Sequence, residues 1–174
     1  MSITTKTGDK GITCLYKGKK VYKDHLRIEL CGSLDELGSY LGLSKNLVKS
    51  KKIKKIIEAV QRDLYLVAAE VVTQTKFLKK LKRRLDETFP ARIERSIKDL
   101  EKKLPRLNCF CLCGENLCSS VLDVARAVSR RAERKATTLK RKSLLKNSHI
   151  LVYLNRLSDL LFLLARFSAG KTKR

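Results

Sequence analysis

Arg126, Arg130 and Arg134 recur at every fourth position around the stretch Ala125–Arg134. This stretch has no Gly or Pro and is rich in helix formers, so it reads as helix. Helical spacing puts the three guanidinium groups on one side. Val121, Ala125, Val128, Ala132 and Ala136 form a small-residue seam on the other. Glu133 falls beside the arginine row and Asp123 leads into it. Guanidinium is always charged and grips phosphate through two parallel hydrogen bonds. The row could hold a polyphosphate, although a solvated charged face would show the same pattern.

Two further stretches carry polar groups at informative spacing. Thr5-Lys6-Thr7-Gly8-Asp9-Lys10-Gly11 is a loop by composition. Its glycines let backbone N–H groups turn inward, and Lys6 and Lys10 add charge, which suits a phosphate cradle. It lacks the G-x4-G-K-[ST] order of a P-loop, and an ordinary polar turn has the same composition. Near the other end, Asn155 and Asp159 lie four residues apart beside Ser158. A polar group on a packed helix needs partners, so Asn155 is either a core hydrogen-bonder or a ligand contact. His25 and His149 are isolated and receive no role.

Six Cys are present, four of them as Cys109, Cys111, Cys113 and Cys118. Zinc pairs usually follow C-x2-C, whereas the spacing here is C-x-C-x-C-x4-C. Alternation suits an extended piece with alternate thiols buried as small hydrophobes. Metal ligands are therefore left unassigned.

The chain has 174 residues with 43% hydrophobic composition, enough for one domain with a sizeable core. It shows no long uncharged apolar run and no apolar signal region at Met1–Lys6. A cytoplasmic location and no membrane partner are expected. The formal net charge is +23, with a dense run at Lys76, Lys79, Lys80, Lys82, Arg83 and Arg84. Such charge attracts polyanions without choosing among them. Aromatic residues are 6% and Trp is absent, which gives little support to a stacking platform for single strands. Nucleic acid is expected to bind only non-specifically.

Five helices must position these groups. Ser33-Leu34-Asp35-Glu36 reads as a capping box opening the first, with Leu34, Leu37, Leu41 and Val48 as its stripe. Asp35 and Glu36 would then sit in the first turn, where the helix dipole favours acids. A second helix is expected over Lys52–Val72, with Ile53, Ile56, Val60, Leu64, Val67 and Val71 inward. Residues 73–88 read as a basic, partly disordered connector. The third starts near Pro90, carries Ile93, Ile97, Leu100 and Leu104, and stops at Pro105. Asn108–Gly114 connects to a fourth helix over Leu117–Leu139. The fifth spans Ser148–Ser168 with Ile150, Leu154, Leu157, Leu161 and Leu164 toward a core. The fold class is all-α, a five-helix bundle over 33–168. An irregular Gly- and Lys-containing region, 1–32, precedes it, and a basic tail, 169–174, follows.

Thr5–Gly11, Leu34-Asp35-Glu36-Leu37, Arg130-Arg131-Ala132-Glu133-Arg134 and Asn155-Arg156-Leu157-Ser158-Asp159 occur in that order. Together they resemble the PduO-type ATP:corrinoid adenosyltransferases over nearly the whole chain. The resemblance implies a homotrimer with ATP held between subunits. Thr5, Lys6, Thr7, Gly8, Asp9 and Lys10 would wrap the triphosphate, assisted by Thr13 and Lys23. Arg130, Arg131, Glu133, Arg134 and Asn155 would complete the nucleotide site. Asp35 would pair with Arg126 across the interface. Phe110 matches an aromatic residue that helps displace the lower ligand of cobalamin. The implied reaction makes adenosylcobalamin from ATP and cob(I)alamin, with Mg²⁺ on the departing triphosphate. A corrinoid reductase and an adenosylcobalamin-dependent enzyme are implied partners.

One stretch and two single positions depart from the family pattern. Cys111-Leu112-Cys113-Gly114-Glu115 stands where Leu-Pro-Gly-Gly is usual, Asp123 where His is common, and Gly38 where Asn is common. They leave open a non-catalytic reading: a basic helical protein that binds nucleic acid, or a nucleotide or corrinoid chaperone.

Overall fold

The computed structural model describes residues 3–108 and 110–170. Helix α1 spans Leu26–Leu47, seven residues ahead of the Ser33 box. His25 caps it, its Nδ1 accepting from the Arg27 amide at 3.2 Å. Ser33 does not cap: its hydroxyl donates to the Glu29 carbonyl one turn back, at 3.2 Å. Leu30, fully buried, extends the apolar stripe of Leu34, Leu37 and Leu41 toward the N-terminus. Asp35 and Glu36 are consequently mid-helix, and the dipole gives no account of them.

Helix α2 spans Lys51–Val71, with Ser50 Oγ accepting from the Ile53 amide. Its buried face runs through Ile57 rather than Ile56. It also carries Asp63 and Glu70, two carboxylates that are buried despite their charge. The 73–88 connector is ordered, with a 3-10 turn at Thr75–Lys80. Leu78 and Leu85 dip into the protein while the intervening lysines stay out. Helix α3, Thr88–Glu101, holds Pro90 in its first turn and ends before Leu104, which is nonetheless buried. Helix α4, Leu117–Arg141, starts at a reciprocal capping box between Asn116 and Ser119. Helix α5 spans His149–Ser168.

Residues 12–22 are not irregular. Strands β1 (Ile12–Cys14) and β2 (Lys20–Tyr22) form an antiparallel hairpin with Thr13 opposite Val21. Leu15 is buried, and Tyr16 bridges to Thr73, its amide donating to the Val72 carbonyl at 3.2 Å. That bridge fastens the N-terminal region to the C-terminal end of α2.

Helix α4 packs on both α1 and α5; α2 packs on α1, and α3 on α5. Ala125, Ala132 and Ala136 have no exposed surface, so the small-residue seam lets α4 close against its neighbours. No helix is long and apolar enough to cross a membrane among the described residues. Arg27 ties three ends together from a buried position. One guanidinium nitrogen donates to the Val71 and Thr73 carbonyls, and the other to Leu144 at 2.6 Å. These bonds satisfy carbonyls left over at a helix terminus.

Cys31, on the α1 face toward α2, has its Sγ 3.8 Å from the Ala68 carbonyl. Burial pushes its thiol up to about 11. Only the thiolate is nucleophilic, so at about pH 8 an alkylating reagent should modify exposed Cys14 and Cys113 and spare Cys31. Peptide mapping should show Cys31 labelling rise only as the pH approaches that value. Early labelling of Cys31 would mean that α1 and α2 separate readily.

Candidate active site

The loop at residues 5–11 is a set of tight backbone turns. Lys6 holds a left-handed conformation at φ 57°, and Gly11 another at φ 71°. Gly11 N–H donates to the Gly8 carbonyl at 3.1 Å, and Lys23 N–H to the Gly11 carbonyl at 2.9 Å. The Thr5 and Thr7 hydroxyls lie 2.9 Å apart. A Cβ on Gly8 would stand 3.0 Å from Lys23 Nζ, so the missing side chain lets that ammonium close over the loop. Thr5, Lys6, Thr7, Asp9 and Lys10 are exposed, and Thr13 follows on β1. The loop thus brings Gly8 and Lys23 together, with its hydroxyls and cations exposed.

A second constellation spans α4, α5 and α3. Asn155 Nδ2 donates to Glu133 Oε1 at 3.2 Å, and Asn155 Oδ1 accepts from Arg156 Nη1 at 3.0 Å. Arg156 Nε in turn donates to Glu94 Oε1 at 3.0 Å. This chain fixes Glu133 and Asn155 as a pair. Arg130 and Arg134 flank it on the outer face of α4, exposed and without a described side-chain partner. Arg131 is one residue, about 100° of helix, away from Arg130. It is placed toward α1 and ion-pairs with Glu36, while Lys135 reaches Glu29 Oε2 at 2.6 Å. Glu36 therefore has a structural reason that its sequence position does not reveal. No described hydrogen bond joins the loop at 5–11 to Arg130, Glu133 or Asn155.

The same holds for Asp35 and Arg126. Asp35 is exposed on α1, and within the chain Arg126 turns to Asp123, at 3.4 Å from Nε to Oδ1. Arg126 also lies 3.7 Å from Cys113 Sγ and 6.0 Å from the centre of the Phe162 ring. Phe110 is fully exposed, as is Leu112 at 91%. The expected alternation of buried thiols is absent: Cys111 is half-buried and Cys113 exposed, and Cys109 lies outside the described residues.

Beside this segment a cleft of about 900 Å³ opens between α3 and α5, with Leu104, Leu107, Phe162, Leu163 and Arg166 among its walls. Residue spacing does not single out Arg166. It is buried, its Nη2 donates to the Pro105 carbonyl at 2.8 Å, and its Nε has no partner among the described residues. A lone Arg on an otherwise apolar helix face is the one signal the sequence offers for it.

The arrangement resolves into a cationic, backbone-rich loop, two guanidinium groups without described side-chain partners beside a fixed amide–carboxylate pair, a mixed apolar and charged cleft between α3 and α5, and an exposed Phe110. Known proteins match this chain over nearly its whole length. The cobalamin adenosyltransferase family profile matches residues 3–168. A corrinoid adenosyltransferase of Citrobacter freundii is 36% identical over 164 residues, covering 94% of this chain and 93% of the relative. One from Bacillus subtilis (strain 168) is 36% identical over 172 residues, covering 95% and 86%. The chain spans 49% of the longer corrinoid adenosyltransferase PduO of Citrobacter freundii, at 35% identity. Among solved structures, a variant PduO-type ATP:corrinoid adenosyltransferase from Lactobacillus reuteri, complexed with cobalamin and ATP, matches with a TM-score of 0.91. It is 30% identical, over 99% of this chain and 97% of that one. The family profile, the relatives and the fold place this chain in the cobalamin adenosyltransferase family.

Proposed function

We propose that the protein transfers the 5′-deoxyadenosyl group of ATP to the cobalt of a reduced corrinoid. The Co(I) lone pair attacks C5′; a Co–C bond forms, the C5′–O bond breaks, and inorganic triphosphate leaves with the electron pair. The observation that carries this reading is the pair of exposed guanidinium groups, Arg130 and Arg134, without side-chain partners among the described residues, beside the fixed Glu133–Asn155 pair. A leaving group with this much charge is stabilised by preorganised cations and N–H donors. Arg130, Arg134, Lys6, Lys10 and Lys23 supply the cations, and Thr5, Thr7, Gly8 and Thr13 line the loop. No proton transfer is needed, which suits a site without a histidine. The corrinoid supplies the hard reactivity.

The proposed assembly is a homotrimer in which the loop of one subunit meets α4 and α5 of the next, a reading that fits the lack of any described hydrogen bond between the two within one chain. Arg131, engaged with Glu36, would act there by holding α4 against α1. Mg²⁺ keeps several waters and binds mostly through substrate phosphates. Asp9 and Glu133 are the carboxylates the site offers it. Supply of Co(I) by a corrinoid reductase, delivery to an adenosylcobalamin-dependent enzyme and a cytoplasmic setting complete the proposal.

The direct test is anaerobic conversion of chemically reduced cobalamin and MgATP to adenosylcobalamin, followed by its light-sensitive spectrum. ATP binding without conversion would leave a binding role. Phe110→Ala should leave stability within about 0.5 kcal/mol, because the ring is fully exposed. The same change should slow reduction of bound Co(II) and hence transfer; unaltered rates would remove Phe110 from the corrinoid site. Asp35→Arg and Arg126→Asp should each impair activity, and the double reversal should recover part of it. Additive losses would break the proposed intersubunit pair and leave Asp123 as the partner of Arg126.

A further inference from the structure

We propose that the end of the bundle formed by residues 75–85 and 140–146 is a docking surface for the phosphate backbone of nucleic acid. This inference is independent of the transfer reaction. The first segment exposes Lys76, Lys79, Lys80, Lys82 and Arg83. The second, the turn from α4 to α5, adds exposed Arg141, Lys142 and Lys146 and half-buried Lys140, whose ammonium donates to the Lys146 carbonyl at 3.0 Å.

These segments are distant in sequence, and part-buried hydrogen bonds at their base hold them side by side. Asn147 Nδ2 donates to the Leu85 carbonyl at 2.7 Å and to Glu70 Oε2 at 3.1 Å, and Arg84 bonds Glu70 Oε1 at 2.6 Å. Arg27 spans the Thr73 and Leu144 carbonyls beneath them. Leu78, Leu85 and Leu145 anchor both segments in the interior, which leaves the cations outside.

Neighbouring carboxylates do little to neutralise the patch. Glu70 is 2% exposed and bound by Arg84 and Asn147. Asp86 accepts from the Thr88 amide and hydroxyl and lies within reach of the Arg83 charge alone among the patch cations, and Glu87 lies 4.0 Å from His149. None of the nine cations takes part in a described ion pair.

The side chains select the partner class. Neither segment exposes a large apolar residue, so nothing is offered for insertion into a lipid surface. Protein interfaces are depleted in Lys and rely on buried aromatic and Arg anchors. Dispersed lysines without an apolar centre fit a regular array of phosphates, where neutralisation releases counterions. The patch lies where α4 ends, and Phe110 lies near where it begins. The 25 residues of α4 separate them by about 37 Å. A bound polyanion would leave the cleft between α3 and α5 open.

The test is fluorescence anisotropy with a labelled random-sequence DNA duplex across a salt series. The quadruple variant K76E/K79E/K80E/K82E should bind at least about tenfold more weakly near 0.1 M salt. Its salt slope should fall by about 0.9 for each phosphate that is no longer neutralised. Reversing Lys49, Lys51, Lys54 and Lys55, at the opposite end, makes the same change in net charge and should cost less than about threefold. R141E/K142E guards against misfolding of the first variant and should weaken binding in the same direction. Adenosyl transfer by the K76E/K79E/K80E/K82E protein should match wild type, which keeps this result separate from the fate of the catalytic proposal. Equal losses in the two quadruple variants would mean that net charge alone binds, and the surface would be discarded. Failure of the wild type to bind the duplex, or binding only to anionic vesicles or an acidic peptide, would also overturn it.

Discussion

Replacing Arg130 by alanine should lower kcat by roughly 10²- to 10³-fold, as loss of one preorganised donor to a developing anion does, about 3 kcal/mol. The side chain is exposed and has no described partner, so the melting temperature should stay within the scatter of surface substitutions. The loss should fall mainly on kcat. Negative charge grows on the triphosphate as the C5′–O bond breaks, and an interaction that strengthens there lowers the barrier rather than KM. Arg130→Lys keeps the charge and loses the two-pronged geometry, so it should fall between wild type and alanine. Stopped-flow formation of the Co–C bond with pre-reduced cobalamin measures the step directly. Turnover near wild type in the alanine variant would remove Arg130 from the reacting centre and, with it, the main support for the α4 face as the nucleotide site.

The helical periods of α2, α4 and α5 are readable because long apolar stripes persist for five or six turns. The beginning of α1 is not. Ser33-Leu34-Asp35-Glu36 has the composition of a cap, and the choice between capping and bonding back to Glu29 depends on whether Leu30 is buried. Asp63 and Glu70 are hidden for a related reason. Within a helical pattern a carboxylate reads as solvent-side until its partners are known, and Arg92, Tyr153, Arg84 and Asn147 come from other elements. The 73–88 connector looks too basic to order, yet two leucines seven residues apart suffice to pin it.

At the site, residue type carries the reading and direction does not. Arg130, Arg131 and Arg134 are chemically equivalent in the sequence, but the helix turns Arg131 into Glu36 and leaves the others free. The proposed Asp35–Arg126 pairing belongs to two chains, so one chain instead displays the local alternative, Asp123. Arg27 and Arg166 escape a sequence reading because their partners are backbone carbonyls, which no side-chain motif advertises.

The scaffold beneath the site should be as sensitive as the site itself. Asp63 is 3% exposed and accepts from Tyr153 Oη at 2.8 Å and from Arg92, joining α2, α5 and α3. Asp63→Ala leaves a buried phenol without an acceptor and frees a guanidinium that is partly solvated. Discounting the Arg92 contribution for solvent screening, the cost is about 3 kcal/mol. For a chain of this size that corresponds to a fall in Tm of roughly 6–12 °C. Asp63→Asn keeps an acceptor for Tyr153 and should lose about half as much. The phenol also gives this cluster a pH signature. Burial, and then the charge of Asp63, push Tyr153 well above the ordinary tyrosine value. In the unfolded chain it ionises near pH 10. Below that pH both states carry the proton and stability is unaffected by it. Above it the unfolded state binds fewer protons than the folded state, so stability must fall as pH rises. Tyr153→Phe should flatten this alkaline decline while lowering stability at neutral pH by about 1 kcal/mol. An alkaline melting profile unchanged by that substitution would show that Tyr153 is not held as a neutral donor to Asp63.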